Sequence, residues 1–419
     1  MDASGLTHFI KTSHNPHKGF IQAVRKRASL SHWHLRDWIM HKVCLFTDTL
    51  GDLNGVSRFI QDMGELAAED PDLDLRLITS TAKPLPDAPW ITNLPWRARV
   101  PMPFYQEMDL VWPSRQHLKG VLQEMKPDSV HISTPGPFGW LAKQEAEKMA
   151  LPLIGTYHTD FPAYLLDLTR SHWVKGRTDK VMARFYQPFS QVFSRSKAYE
   201  SIMQTDIALP ADRITTLPPG TRLDRFHPCH RDGSVWREFG LDPERKKLLY
   251  VGRINIEKGI PFLLDVWQTL QSLHGDLGAD LILVGEGRYR KKAASLAKHH
   301  VYFTGPIRGE ALSIVYASAD LFVFPSVTDT LGQVVMEAQA SGLGCLVSDR
   351  GGPQTLVTDD QTGRILPALN KAGWMQALLE AIQSPHQCLD WGLSARKPML
   401  DYDIKKSFAA FKQKHLNRP

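Results

Sequence analysis

The chain has 419 residues, of which 42% are hydrophobic and 22% are charged, a composition typical of a globular protein large enough for two domains. It contains no run of about 18 apolar residues and no apolar core of a secretory signal at its start, so we expect no transmembrane helix. The net charge of +6 comes without a basic aromatic stripe, which argues against nucleic-acid binding, and four scattered cysteines are typical of a reducing cytoplasm.

Residues 1–41 form a basic N-terminal extension in which aromatic and aliphatic side chains lie among His, Lys and Arg. Two interpretations of it stay open. A basic amphipathic helix on a membrane surface fits the pattern, and so does a solvated extension.

An alternation of strands and helices begins at residue 42 and continues to residue 220. The apolar runs VCLFTD (43–48), SVHIS (129–133) and LPLIGTYH (151–158) predict buried strands. Helical patterns occupy 114–125, 138–149 and 196–205. This rhythm predicts a mostly parallel sheet covered on both faces, which is a Rossmann-like domain.

A second alternation follows over residues 221–395, after a stretch at 217–233 whose prolines and glycines predict a linker. The runs KLLYVGR (247–253), DLILVGEG (280–287) and LFVFP (321–325) predict its strands. The last segment, 396–419, is amphipathic at helical spacing. The chain therefore divides into an extension, two α/β domains and a terminal helix.

One corner of the second domain carries two carboxylates. The run LFVFP predicts a strand, a polar loop follows, and helical spacing begins after Gly332. Asp329 lies in the loop and Glu337 in the helix, with seven residues between them. Because a helix N-terminus at the carboxyl end of a parallel strand favours an anion, this corner predicts a site for a phosphorylated sugar.

Three further stretches end at the same edge of their sheets. Arg253 and Lys258 lie just beyond a predicted strand, where two cations can neutralise a diphosphate. Gly55 lies in the loop between the first strand and the first helix and permits close approach of a ligand. His158 ends an apolar strand, where a neutral imidazole can donate to a sugar hydroxyl.

The block TDTLGQVVMEAQASGLGCLVSDRGGP (328–353) resembles the acidic E-x7-E segment of the retaining glycosyltransferases of family 4. The block VGRINIEKG (251–259) is similar to their VGR-x4-KG segment. This resemblance implies the GT-B fold, with two Rossmann-like domains facing a central cleft. It also implies that residues 396–419 form a helix that crosses back to the first domain.

The resemblance assigns roles to residues of this chain. Asp329, which many members replace with Glu, would contact the donor sugar and Glu337 its ribose. The implied catalytic residues are His158, Asp329, Arg253 and Lys258. The implied donor-binding residues are Asn54, Gly55, Val56, Arg253, Lys258, Arg308, Thr330, Leu331, Gly332, Gln333, Val334 and Glu337. On the acceptor side stand His131, Asp160 and Tyr164.

The expected reaction is the transfer of a hexose, with retention, from a UDP- or GDP-sugar to a hydroxyl acceptor, without a metal or another cofactor. Residues 161–189 mix aromatic and basic side chains and fit two interpretations, a face that meets anionic lipid and a surface helix with a solvated charged face. The stretch resembles the corresponding region of the glycolipid-forming relatives, which implies an anionic membrane lipid as acceptor. We expect a cytoplasmic enzyme, peripheral at the inner face of the membrane. The alternatives are a soluble sugar or polysaccharide acceptor, an isomerase or phosphorylase, and a non-catalytic nucleotide-sugar-binding protein.

Overall fold

The computed structural model describes residues 40–52, 54–102, 105–158, 160–195, 197–329 and 331–417. The amphipathic helix considered for the basic extension therefore lies outside the described residues. Two parallel sheets, of seven and six strands, form the centres of two lobes. The prediction of two Rossmann-like domains is confirmed.

The first lobe is built on the seven-stranded sheet. Its strands are β1 (His41–Phe46), β2 (Leu73–Thr79), β3 (Ile91–Asn93), β6 (Ser129–Ile132), β7 (Leu153–Tyr157), β8 (Gln191–Ser194) and β9 (Ile214–Thr216), in the spatial order β3-β2-β1-β6-β7-β8-β9. Strand β1 is central and buried on both faces: Val43 and Leu45 belong to one apolar cluster, and Cys44 and Phe46 to another. This is why the strand reads as a continuous apolar run.

Helices cover both faces of this sheet, and one hairpin projects from it. The helices are α1 (Gly55–Ala68), α2 (Arg115–Met125), α3 (Pro137–Lys148), α4 (Phe161–Thr169), α5 (His172–Tyr186) and α6 (Lys197–Thr205). The hairpin consists of β4 (Trp96–Met102) and β5 (Tyr105–Pro113), which pair in antiparallel fashion.

The second lobe repeats the same plan. Its strands are β10 (Lys246–Val251), β11 (Ala279–Val284), β12 (Val301–Gly305), β13 (Leu321–Phe324), β14 (Cys345–Ser348) and β15 (Gly363–Leu366), in the order β12-β11-β10-β13-β14-β15. Its helices are α7 (Val235–Glu238), α8 (Ile260–His274), α9 (Ala293–Leu296), α10 (Gly309–Ser318), α11 (Gln333–Ala340), α12 (Lys371–Gln383) and α13 (Pro385–Met399). Strands β10 and β13 are neighbours, so the loops that follow them meet at one edge.

The last helix, α14 (Ile404–Leu416), packs on the first lobe. Its Phe408 and Phe411 join the apolar cluster formed by α1, β1 and β2. Lys412 Nζ lies 2.8 Å from a carboxylate oxygen of Asp70 and 2.7 Å from one of Asp72. The helix thus ties the end of the chain to the lobe in which the described part of the chain begins.

Candidate active site

The loops after β10 and β13 bring a lysine and an aspartate together. Lys258 Nζ lies 2.8 Å from both carboxylate oxygens of Asp329, and the Ser326 hydroxyl also donates to this carboxylate. Lys258 is 9% exposed, so its ammonium group is held within the loops and not in bulk water. A cation and a carboxylate are therefore held side by side, which lowers the cost of ordering them around a ligand.

Glycine backbones bring these loops close together. At Gly332, the residue before α11, φ is +78°, and an added Cβ would lie 3.0 Å from Pro353. The Gly352 N–H donates to the Asp329 carbonyl over 2.7 Å, so the turn that contains GGP supports the loop carrying the carboxylate. The first turn of α11 begins directly behind this loop and offers free backbone N–H groups to an anion.

Arg253 follows β10 at the same edge. Its guanidinium lies 3.3 Å from a carboxylate oxygen of Glu257, and the Tyr250 hydroxyl donates to its carbonyl over 2.8 Å. Burial raises the pKa of Asp52, in the first lobe, and the positive charges of Lys83 and Arg253 oppose that rise. Arg253 is therefore close enough to the first lobe to act electrostatically on Asp52.

Glu337 is buried in α11 between the two lobes. The Tyr316 hydroxyl donates to Glu337 Oε2 over 3.0 Å. Burial raises the pKa of this carboxyl, and the guanidinium of Arg58 opposes that rise. Arg58 belongs to the first turns of α1, so a residue of the first lobe acts electrostatically on an acid in the second.

The loop before α1 faces the N-terminus of α11. Asn54 caps α1 by accepting from the Ser57 N–H over 2.9 Å. A Cβ added at Gly55 would lie 3.7 Å from Gln333 Cβ. Gln333 in turn donates to the Gly220 carbonyl over 3.3 Å. The glycine of this loop thus lets the first lobe approach the helix terminus that offers its N–H groups.

Two cationic or imidazole side chains end neighbouring strands of the first lobe. His158 follows β7 and Arg195 follows β8. Burial lowers the pKa of His158 to about 3, with a smaller contribution from Arg195, so the imidazole is neutral at physiological pH. Burial also lowers the pKa of Arg195, to about 10. Within the described part of the chain, His158 Nε2 and Arg195 Nη1 are buried without a hydrogen-bond partner.

Both groups pack around Phe59 of α1. The guanidinium of Arg195 lies 3.8 Å from the centre of the Phe59 ring, and the ring centres of His158 and Phe59 are 6.1 Å apart. Asp62, one turn further along α1, is buried as well, and burial raises its pKa to about 7. The first lobe thus places an imidazole and a guanidinium, each with a buried nitrogen, at the ends of neighbouring strands, with a buried carboxyl group on the adjacent helix.

Comparison with known proteins identifies the chain. A family model described as Glycosyltransferase Family 4 matches residues 53–225, and one described as Glycosyl transferases group 1 matches residues 245–384. The chain belongs to this family of glycosyltransferases. Sucrose-phosphate synthase from Thermosynechococcus elongatus is 19% identical, with a TM-score of 0.70 over 90% of this chain and 98% of that one. The likeness confirms the predicted GT-B fold.

Two relatives indicate the range of the family. Sulfoquinovosyl transferase SQD2 of Arabidopsis thaliana is 27% identical over 309 residues, which are 73% of this chain and 58% of the relative. A GDP-mannose-dependent alpha-mannosyltransferase of Mycobacterium tuberculosis is 29% identical over 282 residues, which are 67% of this chain and 70% of the relative. The match therefore spans less than two thirds of the first relative.

The structure places the other predicted residues of this glycosyltransferase as follows. Leu331 and Val334 pack against the core of the second lobe, and Val56 against that of the first. Arg308 is exposed at the residue before α10. Asp160 caps α4 by accepting from the Ala163 N–H over 3.1 Å. Thr330 and the side chain of Tyr164 lie outside what the structure describes.

His131 was predicted on the acceptor side, and the structure places it in the core. It is 1% exposed and shares hydrogen bonds with Thr156, over 2.9 Å, and with His415 of α14, over 3.1 Å. The reason is its position within β6, where its side chain points to the sheet face that α14 covers. Its contacts are those of a structural residue.

Three residues at the site were not singled out from the sequence: Arg58, Asp62 and Arg195. Arg195 carries the same signal that identified Arg253, a cation directly after an apolar strand. Arg58 follows the loop around Gly55 and lies in the first turn of α1, where a cation faces the cleft. Asp62 gives no such signal, because its burial depends on packing between α1 and the rest of the lobe.

Among the residues that the structure describes, no group of three or more His, Cys, Asp or Glu side chains is arranged to hold a metal ion. In the same part of the chain, no helix combines the length and apolar character needed to cross a bilayer.

Proposed function

We propose that the chain transfers a hexose, with retention of configuration, from a UDP- or GDP-sugar to a hydroxyl group of a membrane lipid. The observation that carries this proposal is the contact of Lys258 with Asp329 over 2.8 Å, beside the N-terminus of α11. A diphosphate is bound by cations, the sugar by a carboxylate in the loop and the ribose by a carboxylate in the helix. This edge of the second lobe provides these three kinds of group. The name of one relative, a GDP-mannose-dependent alpha-mannosyltransferase, supports a nucleotide sugar as donor.

Each side chain has a role in this reaction. The bond between the anomeric carbon and the diphosphate breaks, and negative charge develops on the departing phosphate. Arg253 and Lys258 stabilise that charge, because preorganised cations in a partly dry site act most strongly where charge develops. The acceptor oxygen bonds to the anomeric carbon, and its proton leaves with the diphosphate.

The remaining groups orient the donor. Asp329 accepts from hydroxyl groups of the sugar, and Glu337 accepts from the ribose. His158 is neutral because burial lowers its pKa, so one ring nitrogen can donate to a sugar hydroxyl while adding no charge near the reacting carbon. The two side-chain cations supply the positive charge that a metal ion provides in other phosphate sites, so we propose that no metal is required.

The surface of α5 is the observation that supports a lipid acceptor. Trp173 is 73% exposed there, and the guanidinium of Arg177 lies 5.6 Å from the centre of its ring. Lys180 and Arg184 are exposed on the same helix. Basic and aromatic side chains together suit the headgroup region of an anionic membrane. We therefore propose a peripheral location at the cytoplasmic face of the membrane.

The test is a thermal unfolding panel with UDP-, GDP- and ADP-sugars, followed by an assay of nucleotide release with and without anionic lipid vesicles. We expect one nucleotide class to raise the unfolding midpoint and vesicles to accelerate release. The variant Lys258→Met should lose release, and Lys406→Met, an exposed lysine on α14, should retain it. Failure of every nucleotide sugar to stabilise the chain or to release nucleotide would refute the proposal.

A further inference from the structure

The first lobe contains a cavity that the donor does not use. Its volume is about 530 Å³, within the usual range for small-molecule sites. It lies between the β4–β5 hairpin and helices α3, α4 and α5. Its wall is mainly apolar, with Asp109, Gln144 and Thr178 as polar members, and the apolar part comes from Leu110, Trp112, Pro113, Trp140, Leu141, Phe161, Val181 and Met182.

The inner end of this cavity is polar and adjoins the candidate active site. Asp48 and Thr134 line it, just beyond the carboxyl ends of β1 and β6. Asp48 Oδ1 is buried and has no hydrogen-bond partner among the described residues. Asp48 Oδ2 would lie 2.3 Å from a Cβ added at Gly136, so the glycine allows the carboxyl to sit over the start of α3. A buried acceptor atom that is left unpaired favours a ligand with a hydroxyl donor.

Asp48 shares its loop with residues that face the donor. Asp52, four positions later, lies within the field of Arg253, and Gly55 approaches α11. A hydroxyl group held at Asp48 is therefore on the side of the lobe where the sugar would be transferred.

The outer end of the cavity opens on an unusually apolar surface. Trp112 and Val181, which line the cavity, are 43% and 52% exposed, and Trp96 and Val100 of the hairpin are 43% and 49% exposed. Large exposed apolar patches on a protein of this kind mark contact with a membrane or a partner. The basic face of α5, described above, borders the same opening, and basic side chains together with tryptophan select a membrane.

We infer that this cavity is an acyl-chain channel: it holds the hydrocarbon part of a lipid acceptor and presents the hydroxyl group of that lipid to Asp48. The inference rests on the proposed function, since it names the part of the first lobe that receives the acceptor. It accounts for the apolar wall, the unpaired carboxyl oxygen at the inner end and the exposed tryptophans at the opening by one ligand.

The first experiment measures binding of a neutral probe, a monoacylglycerol with a cis-parinaroyl chain, which accepts energy from excited tryptophan. Trp112 and Trp140 line the cavity, so the full-length protein should give saturable energy transfer with one site per chain. The double variant Leu141→Gln/Val181→Gln changes two partly exposed wall residues and should bind the probe at least tenfold more weakly. The control His172→Gln changes an exposed residue of α5 outside the wall and should bind it as the unmodified protein does.

The second experiment measures transfer to dioleoylglycerol in vesicles and to glycerol in solution. The double variant should lower the ratio of lipid transfer to glycerol transfer at least tenfold, and its unfolding midpoint should stay within a few degrees of the control. Equal probe affinity in the double variant and the control would overturn the inference. Competition for the probe by a soluble oligosaccharide such as maltotriose would also overturn it.

The two proposals fail separately. A chain that binds the probe saturably but binds no nucleotide sugar retains the channel and refutes the transferase. A chain that binds and turns over a nucleotide sugar, but shows no saturable energy transfer, refutes the channel and retains the transferase.

Discussion

Replacing His131 with Gln should change how the stability of the protein depends on pH. His131 and His415 share a hydrogen bond of 3.1 Å in the core between β6 and α14, in which one nitrogen donates and the other accepts. Protonation of both rings would leave two donors facing each other with no water between them. His415 also lies near Ser129, over 3.3 Å, and near His41, which adds positive charge when it is protonated.

The magnitude follows from the pKa of His131, which burial lowers from its ordinary value of 6.5 to about 3, with a smaller contribution from His158. In this range the unfolded chain binds a proton that the folded protein rejects, so stability falls as the pH falls below about 6.5. At about pH 4.5 the loss is about 3 kcal/mol for this one group, since one pKa unit corresponds to about 1.4 kcal/mol. His415 has a pKa shifted in the same direction by burial and by His131.

The assay is urea unfolding followed by tryptophan fluorescence at several pH values. His131→Gln should be about 1 kcal/mol less stable than the unmodified protein near pH 8, because the amide replaces the hydrogen bonds imperfectly. The curves of unfolding free energy against pH for the two proteins should cross as the pH falls, because only the unmodified protein loses stability through the buried ring at this position. Asp48 and Asp62, whose pKa values are raised by burial, titrate in both proteins and cancel in the difference.

The exposed histidine at position 117 provides the control, and His117→Gln should leave the pH dependence unchanged. A stability difference between His131→Gln and the unmodified protein that stays constant from about pH 8 to about pH 4.5 would refute the reasoning. It would mean that α14 moves and admits water before the ring is protonated, so that protonation of His131 does not lower the free energy of unfolding.

Three further predictions concern the site. Lys258→Met should lower the turnover number about 10² to 10³-fold, as removal of a preorganised charge does, while Lys258→Arg should retain more of it, measured by nucleotide release. Arg195→Met should lower transfer at least tenfold, because it removes a cation beside His158 at the end of β8, and it should leave the unfolding midpoint within a few degrees, because Met keeps the packing on Phe59 and Arg195 Nη1 is buried without a hydrogen-bond partner among the described residues; a parallel fall in both would contradict this. Addition of excess EDTA should leave the transfer rate within twofold of its starting value, and a loss restored by magnesium would show that a metal is needed.

The parts of the fold and site that sequence patterns predict are those written in consecutive residues. Strand β13 is an apolar run because it is buried on both faces at the centre of its sheet, and Pro325 ends it. The loop and helix that follow therefore have a known position at the sheet edge. The same reasoning places Arg253 and His158 just after strands, where the structure has them, and Lys258 further along the loop after β10, where it ends the helical turn Ile256–Lys258.

Sequence patterns do not predict the hairpin and the two helices behind the cavity in this way. Trp96 and Val100 are half exposed in β4, so the strand has no buried face to impose a pattern on its sequence. Residues 161–186 form α4 and α5, yet their basic and aromatic residues fit a solvated helix and a membrane face equally well. The structure adds that these elements pack around one cavity, and the proposed membrane face depends on that observation.

Sequence patterns do not predict the contacts between the lobes, for a different reason. Glu337 belongs to a recognisable block of the second lobe, but its charge state depends on Arg58, which is 279 positions earlier in the chain. Burial favours the protonated acid and raises the pKa of Glu337, and the guanidinium of Arg58 opposes that rise. The surroundings of Glu337 are therefore complete only when α1 lies against α11, and in the proposed role of Glu337 a bound ribose would contact a carboxyl group whose environment comes from both lobes. This dependence links donor binding to the relative position of the lobes, and no motif confined to one of them can express it.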